Sequence, residues 1–301
     1  MPFEIRPIVG YDDLQRWVAT RNAASSDTIT VEARTLIRAR EIDSVDLIAE
    51  NDGEPIGIAF LSGDPRSLEI RRPWIDVRVP AEHRRRGFGS ALLTHILDRA
   101  KRGGHAGLRC SAHADDAASL AFLRRHGFSV TGSVEQVSLE LDPLPMVESP
   151  TPDGVRLSRL ADEPELVRAM YSLAASTADD RTDRIGGVVP TETDWRTYEL
   201  SSPFVRLEIT AVAMADDKAV GYSILQDFPP HDALLHRTLL VAPIWRERGL
   251  AHALVTAGIH DAAAAGVPRL IAMPESDFEA ELFASLGYLP RERWLEHERM
   301  L

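Results

Sequence analysis

One cysteine, Cys110, among 301 residues leaves no pair for an intrachain disulfide, so the fold must be held by its core, as befits a reducing compartment. No apolar run is long enough to span a bilayer. The N-terminus, Met1-Pro2-Phe3-Glu4-Ile5-Arg6, has no charged head followed by an apolar signal region, and the expected location is the cytoplasm. Basic excess is missing as well: 34 Lys and Arg face 46 Asp and Glu, a formal charge of -12. Nucleic acid needs an extended basic face and is an unlikely partner for such a chain, whereas a cationic amine would be attracted to it. There is no Gly-Lys-Ser or Gly-Lys-Thr after a glycine run, which excludes a Walker-type loop, and no Gly-x-Ser-x-Gly nucleophile elbow. No His, Cys and Asp cluster has ligand spacing, so no metal is expected.

What the chain does contain is one unit written twice. Val79-Pro80-Ala81-Glu82-His83-Arg84-Arg85-Arg86-Gly87-Phe88-Gly89-Ser90 reads as a strand end, a basic glycine turn and a helix start. About 160 residues later Val241-Ala242-Pro243-Ile244-Trp245-Arg246-Glu247-Arg248-Gly249-Leu250-Ala251-His252 repeats that order. A glycine turn that opens a helix aims unpaired N–H groups and the positive helix end at one point, which suits a pyrophosphate. Gly87 and Gly89 keep side chains away from the backbone, Gly249 and Ala251 take those places in the second copy, and the arginines add charge-assisted hydrogen bonds from the rim. The helices that follow carry Leu92, Leu93, Ile96 and Leu97, then Leu254, Val255, Ile259 and Ala262, at helical spacing. A dinucleotide fingerprint fits poorly, because Leu92 stands where its third glycine belongs and the turn does not follow the first strand.

Around each turn the same plan recurs. The first half begins with a strand at Phe3-Glu4-Ile5-Arg6 and helices through Asp12–Trp17 and Val31–Arg40. Val45–Glu50 then turns at Asn51-Asp52-Gly53 into Ile56–Leu61, a hairpin signal. Strands at Ile75–Val79 and Gly107–Ser111 flank the turn and its helix. The second half gives Val155-Arg156-Leu157, a helix at Glu163–Ala174, a hairpin of Ile209–Ala213 with Val220–Leu225, and strands at Leu234–Val241 and Leu270-Ile271-Ala272. Prolines from Asp142 to Gly154 discourage helix and strand alike, so residues 1–142 and 155–301 are expected as two domains joined by a linker at 143–154. Cys110, in Leu108-Arg109-Cys110-Ser111, reads as a buried strand thiol.

At these residues the chain resembles the GCN5-related N-acetyltransferase (GNAT) superfamily, whose acyl-CoA motif is Arg or Gln, two residues, Gly, one residue, Gly or Ala. The motif appears as Arg84-x-x-Gly87-x-Gly89 and as Arg246-x-x-Gly249-x-Ala251, followed by Ala121-Phe122-Leu123-Arg124-Arg125-His126-Gly127-Phe128 and by Glu281-Leu282-Phe283-Ala284-Ser285-Leu286-Gly287-Tyr288. The resemblance covers nearly the whole chain as a tandem arrangement of the kind seen in actinobacteria. It implies an α/β fold of two tandem GNAT-like domains, each a mixed, mostly antiparallel twisted sheet flanked by helices. It implies acetyl-CoA as donor and a primary amine of a small molecule or amino terminus as acceptor, joined by direct transfer with no covalent enzyme adduct. The donor would lie against Val77, Val79, Arg84, Arg85, Arg86, Gly87, Phe88, Gly89 and Ser90, and against Val241, Arg246, Glu247, Arg248, Gly249, Leu250, Ala251 and His252. A backbone N–H near Val79 or Val241 would polarise the acetyl oxygen.

Base candidates are Asp76 on the strand that ends at the first turn, and Asp227, His231 and His236 in the second half. An acidic stretch from Ser176 to Asp194, with Asp179, Asp180, Asp183, Glu192 and Asp194, is a candidate cation selector or a solvated face. Many family members carry a Tyr before the final Gly-Phe turn to protonate the leaving thiolate, and Leu123 and Phe283 stand there instead; the family's common Asn is replaced by Asp116 and Ser276. These departures keep a non-catalytic acyl-CoA-binding or sensing protein as the alternative, and one catalytic half beside one structural half as an intermediate case. Monomer and homodimer are both open.

Overall fold

The computed structural model describes residues 3–25, 28–39, 41–63, 72–177, 191–228 and 232–301. They form two compact units, the first of Met1–Ser133 with Trp294–Leu301 and the second of Val134–Arg293. This division differs from a cut at a proline linker. The last strand of the first unit comes from the end of the chain, and residues 134–140, which precede the prolines, belong to the second.

In the first unit β1 (Glu4–Pro7), β2 (Ile42–Asn51), β3 (Glu54–Gly63) and β4 (Trp74–Arg78) run antiparallel in that order. The hairpin expected at Asn51-Asp52-Gly53 forms with Asp52 at φ 53° and Gly53 at φ 83°, the left-handed pair that a two-residue turn needs to match strand twist. Beside β4 runs β5 (Gly107–His113), parallel to it, and the chain's final residues Trp294–Met300 pair antiparallel with β5. Strand alternation sorts the core. Ile48 and Ile58 point to α1 (Gly10–Ala23) with Leu14, Trp17 and Val18, whereas Leu47, Ala49, Ala59 and Leu61 point to α3 (Phe88–Arg102) with Leu92, Leu93 and Ile96. Helices α2 (Val31–Arg38) and α4 (Ala117–Arg125) complete the two faces, and Thr30 and Asp116 cap them.

The second unit repeats this order with β7 (Val155–Arg159), β8 (Ala211–Ala215), β9 (Lys218–Asp227), β10 (Leu234–Val241) and β11 (Arg269–Ala272), next to which Val137–Glu140 of β6 (Ser129–Glu140) pair antiparallel. Helices α5 (Leu166–Ser176) and α6 (Glu192–Glu199) bring Met170, Leu173 and Trp195 against Val212, Tyr222 and Ile224. On the other face α7 (Leu250–Ala264) and α8 (Asp277–Ser285) pack against Ala211, Val220 and Leu225, and β12 (Leu289–Met300) follows α8.

One close approach is common to both units. A Cβ on Gly57 of β3 would sit 3.0 Å from Leu92 and 3.1 Å from the Arg78 carbonyl, and one on Gly221 of β9 would sit 2.9 Å from Leu254 and 3.1 Å from the Leu240 carbonyl. Each glycine lets the motif helix settle onto the strand paired with the one that feeds its turn.

Candidate functional site

Strand β4 leaves its parallel neighbour almost at once. Trp74 pairs with Arg109, and beyond that point the two strands have no shared register although both continue. The gap is a pocket of about 760 Å³, within the size of small-molecule sites (roughly 300–1,000 Å³). Asp76, Val77, Arg78 and Val79 line one wall, Cys110, Ser111 and His113 the other, and the turn and start of α3 close one end.

The turn is built by backbone conformation. After a short 3₁₀ segment at Ala81–His83, Arg84 is extended, Arg85 has φ 63° and Gly87 has φ 87°. Nothing would touch a Cβ on Gly87, so the positive φ is what asks for glycine there, whereas a Cβ on Gly89 would stand between Val79 and the Phe122 ring at 3.8 and 3.5 Å. Helix α3 has no side-chain cap, so the N–H groups of Phe88, Gly89 and Ser90 keep their donors for a ligand. Arg84 Nε donates to the Val79 carbonyl at 2.9 Å and ties the turn to its strand. Arg85 and Arg86 are exposed and make no ion pair among the described residues. Phe88 packs edge-on against Phe3, and Ser90 Oγ meets His126 Nε2 at 3.1 Å. Burial works against the ionised Asp116, but hydrogen bonds from Ser119 and the Ala118 N–H, with the charge of Arg84, hold its carboxyl below the usual range.

Asp76 projects from β4 with its side chain 22% exposed and accepts from Arg78 Nε at 2.5 Å; Arg78 also donates to Ser25 Oγ. Burial, reinforced by the charge of Asp76, pushes the Cys110 thiol up to about 12, which leaves it a neutral wall of the pocket. Leu123 lines the same pocket and has no proton to give.

The second turn shares the motif but not its openness. Arg246 Nε reaches the Val241 carbonyl at 3.4 Å, and Gly249 has φ 77°. Between them Pro243–Arg248 coils into a continuous 3₁₀ segment that spends amide groups internally. The Arg248 guanidinium lies over Trp245 at 4.9 Å instead of on the rim, Glu247 puts a carboxylate where the first turn has Arg85, and Leu250 and Ala251 are buried. His252 meets Ser285 Oγ at 3.1 Å, the Ser90–His126 bond with its partners exchanged.

Two expected bases do not meet this turn. His236 is enclosed in the core, its Nε2 2.7 Å from the Tyr288 hydroxyl and its ring 5.2 Å from Phe283, so it cannot serve as an accessible proton acceptor. Burial lowers its pKa to about 3. Asp227 lies at the end of β9 opposite Leu234, seven residues along β10 from Val241, and is ion-paired to Arg206 at 3.0 Å. His231 and Asp179, Asp180 and Asp183 lie outside the described residues; Glu192 and Asp194 are in the first turn of α6. Position 76 is occupied in the second unit by Thr238, which donates to Glu199 at the end of α6 at 2.8 Å, a carboxylate that spacing along the strand could not reveal.

The neutral His236 has a measurable consequence. An unfolded histidine takes a proton below about pH 6.5, whereas the folded one resists until about pH 3, so folding stability is complete above that window and falls through it by about 1.4 kcal/mol per pH unit. Urea denaturation between pH 7 and 4 should show His236→Gln losing stability less steeply than wild type; parallel slopes would mean that His236 protonates in the folded state.

Among the described residues no helix is long and apolar enough to cross a membrane, and no group of three or more His, Cys, Asp or Glu is placed to hold a metal. The model of the acetyltransferase (GNAT) family matches residues 12–128 and 171–288. The chain is 25% identical over 317 residues to the mycothiol acetyltransferase of Nocardiopsis dassonvillei, covering 92% of each. It is 31% identical over 96 residues to the L-methionine sulfoximine/L-methionine sulfone acetyltransferase of Salmonella typhimurium, a stretch that is 31% of this chain and 56% of that relative. A tandem GNAT protein from the clavulanic acid biosynthesis pathway superposes with a TM-score of 0.77 over 99% of this chain and 98% of its own at 17% identity, a likeness of fold.

Proposed function

The chain belongs to the acetyltransferase (GNAT) family, and from that premise we propose that it is an acetyl-CoA-dependent N-acetyltransferase whose transfer site is the first unit. The observation that carries this reading is the pocket in which unbonded amides, the turn arginines Arg84 and Arg85 and an inward carboxylate meet along one splayed strand. The pyrophosphate would take the N–H groups of Phe88, Gly89 and Ser90 with Arg84, Arg85 and Arg86, and the acyl arm would lie along Val77 and Val79. A neutral amine attacks the thioester carbon, a β4 N–H near Val79 receives charge on the oxygen, and the C–S bond breaks as the C–N bond is completed. Asp76 accepts the proton that the amine loses. The thiolate, whose parent thiol has a pKa near about 8.5, leaves without a side-chain donor at Leu123.

Acetyl-CoA titrated calorimetrically into the protein should fill one site. Arg84→Ala should weaken it about 10- to 100-fold through loss of a charge-assisted hydrogen bond worth about 1.5–3 kcal/mol, and Arg246→Ala should change it far less. Two sites, one of them abolished by Arg246→Ala, would overturn the assignment to a single unit; no heat in any form would end the acetyltransferase reading. The absence of a hydroxyl at Leu123 and Phe283 favours one rival, a protein that binds acyl-CoA without turning it over. Thiol release that depends on added amine excludes it.

A further inference from the structure

The acceptor end of the first pocket is lined by three side chains that nothing in the motif specifies. Asp76 and Arg78 stand two residues apart on β4, hence on one face of the strand, joined at 2.5 Å with side chains 22% and 21% exposed. Trp294 arrives from the last strand of the chain, in register with His113 and edge-on to its ring at 5.4 Å, and the partly buried indole lines the pocket.

We propose that the acceptor is an amine bearing its own carboxylate and an apolar side chain: the amine meets Asp76, the carboxylate meets Arg78, and the side chain lies on Trp294. This rests on the first unit being the transfer site. A simple amine that engaged Asp76 would compete with Arg78 for its carboxylate, and loosening a sheltered ion pair is costly. A ligand that presents both groups a bond or two apart exchanges one ion pair for two and leaves neither charge behind. Trp294 supplies a broad, stiff apolar surface on the wall opposite β4, which rewards a branched or aromatic side chain and gives nothing to a hydrogen atom. Before attack the ammonium must lose one proton, and Asp76 or water receives it; the carboxylate of the acceptor takes no part in the bond exchange.

The test uses the full chain, acetyl-CoA, and three probes: L-leucine, isopentylamine, which lacks the carboxylate, and glycine, which lacks the side chain. Amine-dependent thiol release is measured for wild type, Arg78→Gln, Arg78→Lys and Trp294→Ala, with acetyl-CoA affinity measured on each variant. Expected is a kcat/KM for leucine at least tenfold above that for isopentylamine, a preference that Arg78→Gln erases and Arg78→Lys partly restores. Trp294→Ala should raise the leucine KM at least fivefold more than the glycine KM. Isopentylamine turned over as well as leucine, equal effects of Trp294→Ala on leucine and glycine, or no turnover of any probe by a protein that binds acetyl-CoA would each overturn the proposal. Failure to bind acetyl-CoA would instead overturn the reading on which it rests.

Discussion

Asp76→Asn is expected to reduce amine-dependent turnover about 10²- to 10⁴-fold, the range supplied by a positioned general base, with acetyl-CoA affinity little changed. The substitution keeps shape and hydrogen-bonding reach but removes the proton acceptor. It also takes the counter-charge from Arg78, so a structural effect has to be separated from a chemical one. The pH profile does this: loss of the acid limb of kcat/KM in Asp76→Asn, with partial recovery in Asp76→Glu, identifies the base. A fall of less than about tenfold would assign proton removal to water and leave Asp76 a charge that orients the acceptor.

Arg34→Ala is expected to destabilise the first unit by about 3–5 kcal/mol, the cost of stranding a buried carboxylate. Arg34 is 3% exposed, sandwiched between the Trp17 and Phe60 rings at 5.2 and 5.0 Å, and its guanidinium holds Glu41 at 2.9 Å and the fully buried side chain of Asp46. Without it Asp46 retains, among the described residues, Arg38 at 3.3 Å from the solvent side. Chemical denaturation followed by tryptophan fluorescence gives the loss. Because replacing both partners by apolar groups removes the stranded charge, Arg34→Leu combined with Asp46→Leu should be markedly more stable than Arg34→Ala alone. A single-variant loss below about 1 kcal/mol would mean that water reaches Asp46 and the network is not dry.

The turn was legible in the chain because its backbone chemistry is local. A φ near 90° at Gly87, the free amides of the next three residues and the arginine clamp five residues beyond Val79 are properties of a short segment, and the segment names them. Asp76, offered as a base on the strand that ends at the first turn, lines the pocket beside that turn. The same reasoning offered His236 as a base, and packing decided otherwise: Phe283 and Tyr288, some fifty residues on, close over it. Likewise the charge of Arg248 is legible, but its attachment to the Trp245 ring is not.

The sequence by itself determined the doubled plan, the two turns and the order of the strands and helices around them, because each follows from spacing and turn residues within a few tens of positions, and the motif at the turns carried the resemblance to the family. Tertiary structure alone decided which strand finishes which unit, since the pairing of Trp294–Met300 with β5 is a contact across some 180 residues that no local pattern records. It also decided that the two turns differ. The helix after each turn starts on a left-handed glycine without a side-chain cap, but an extended Arg84 and a left-handed Arg85 lead into the first, while a continuous 3₁₀ segment, whose amides bond within it, leads into the second, where Leu250 and Ala251 are buried.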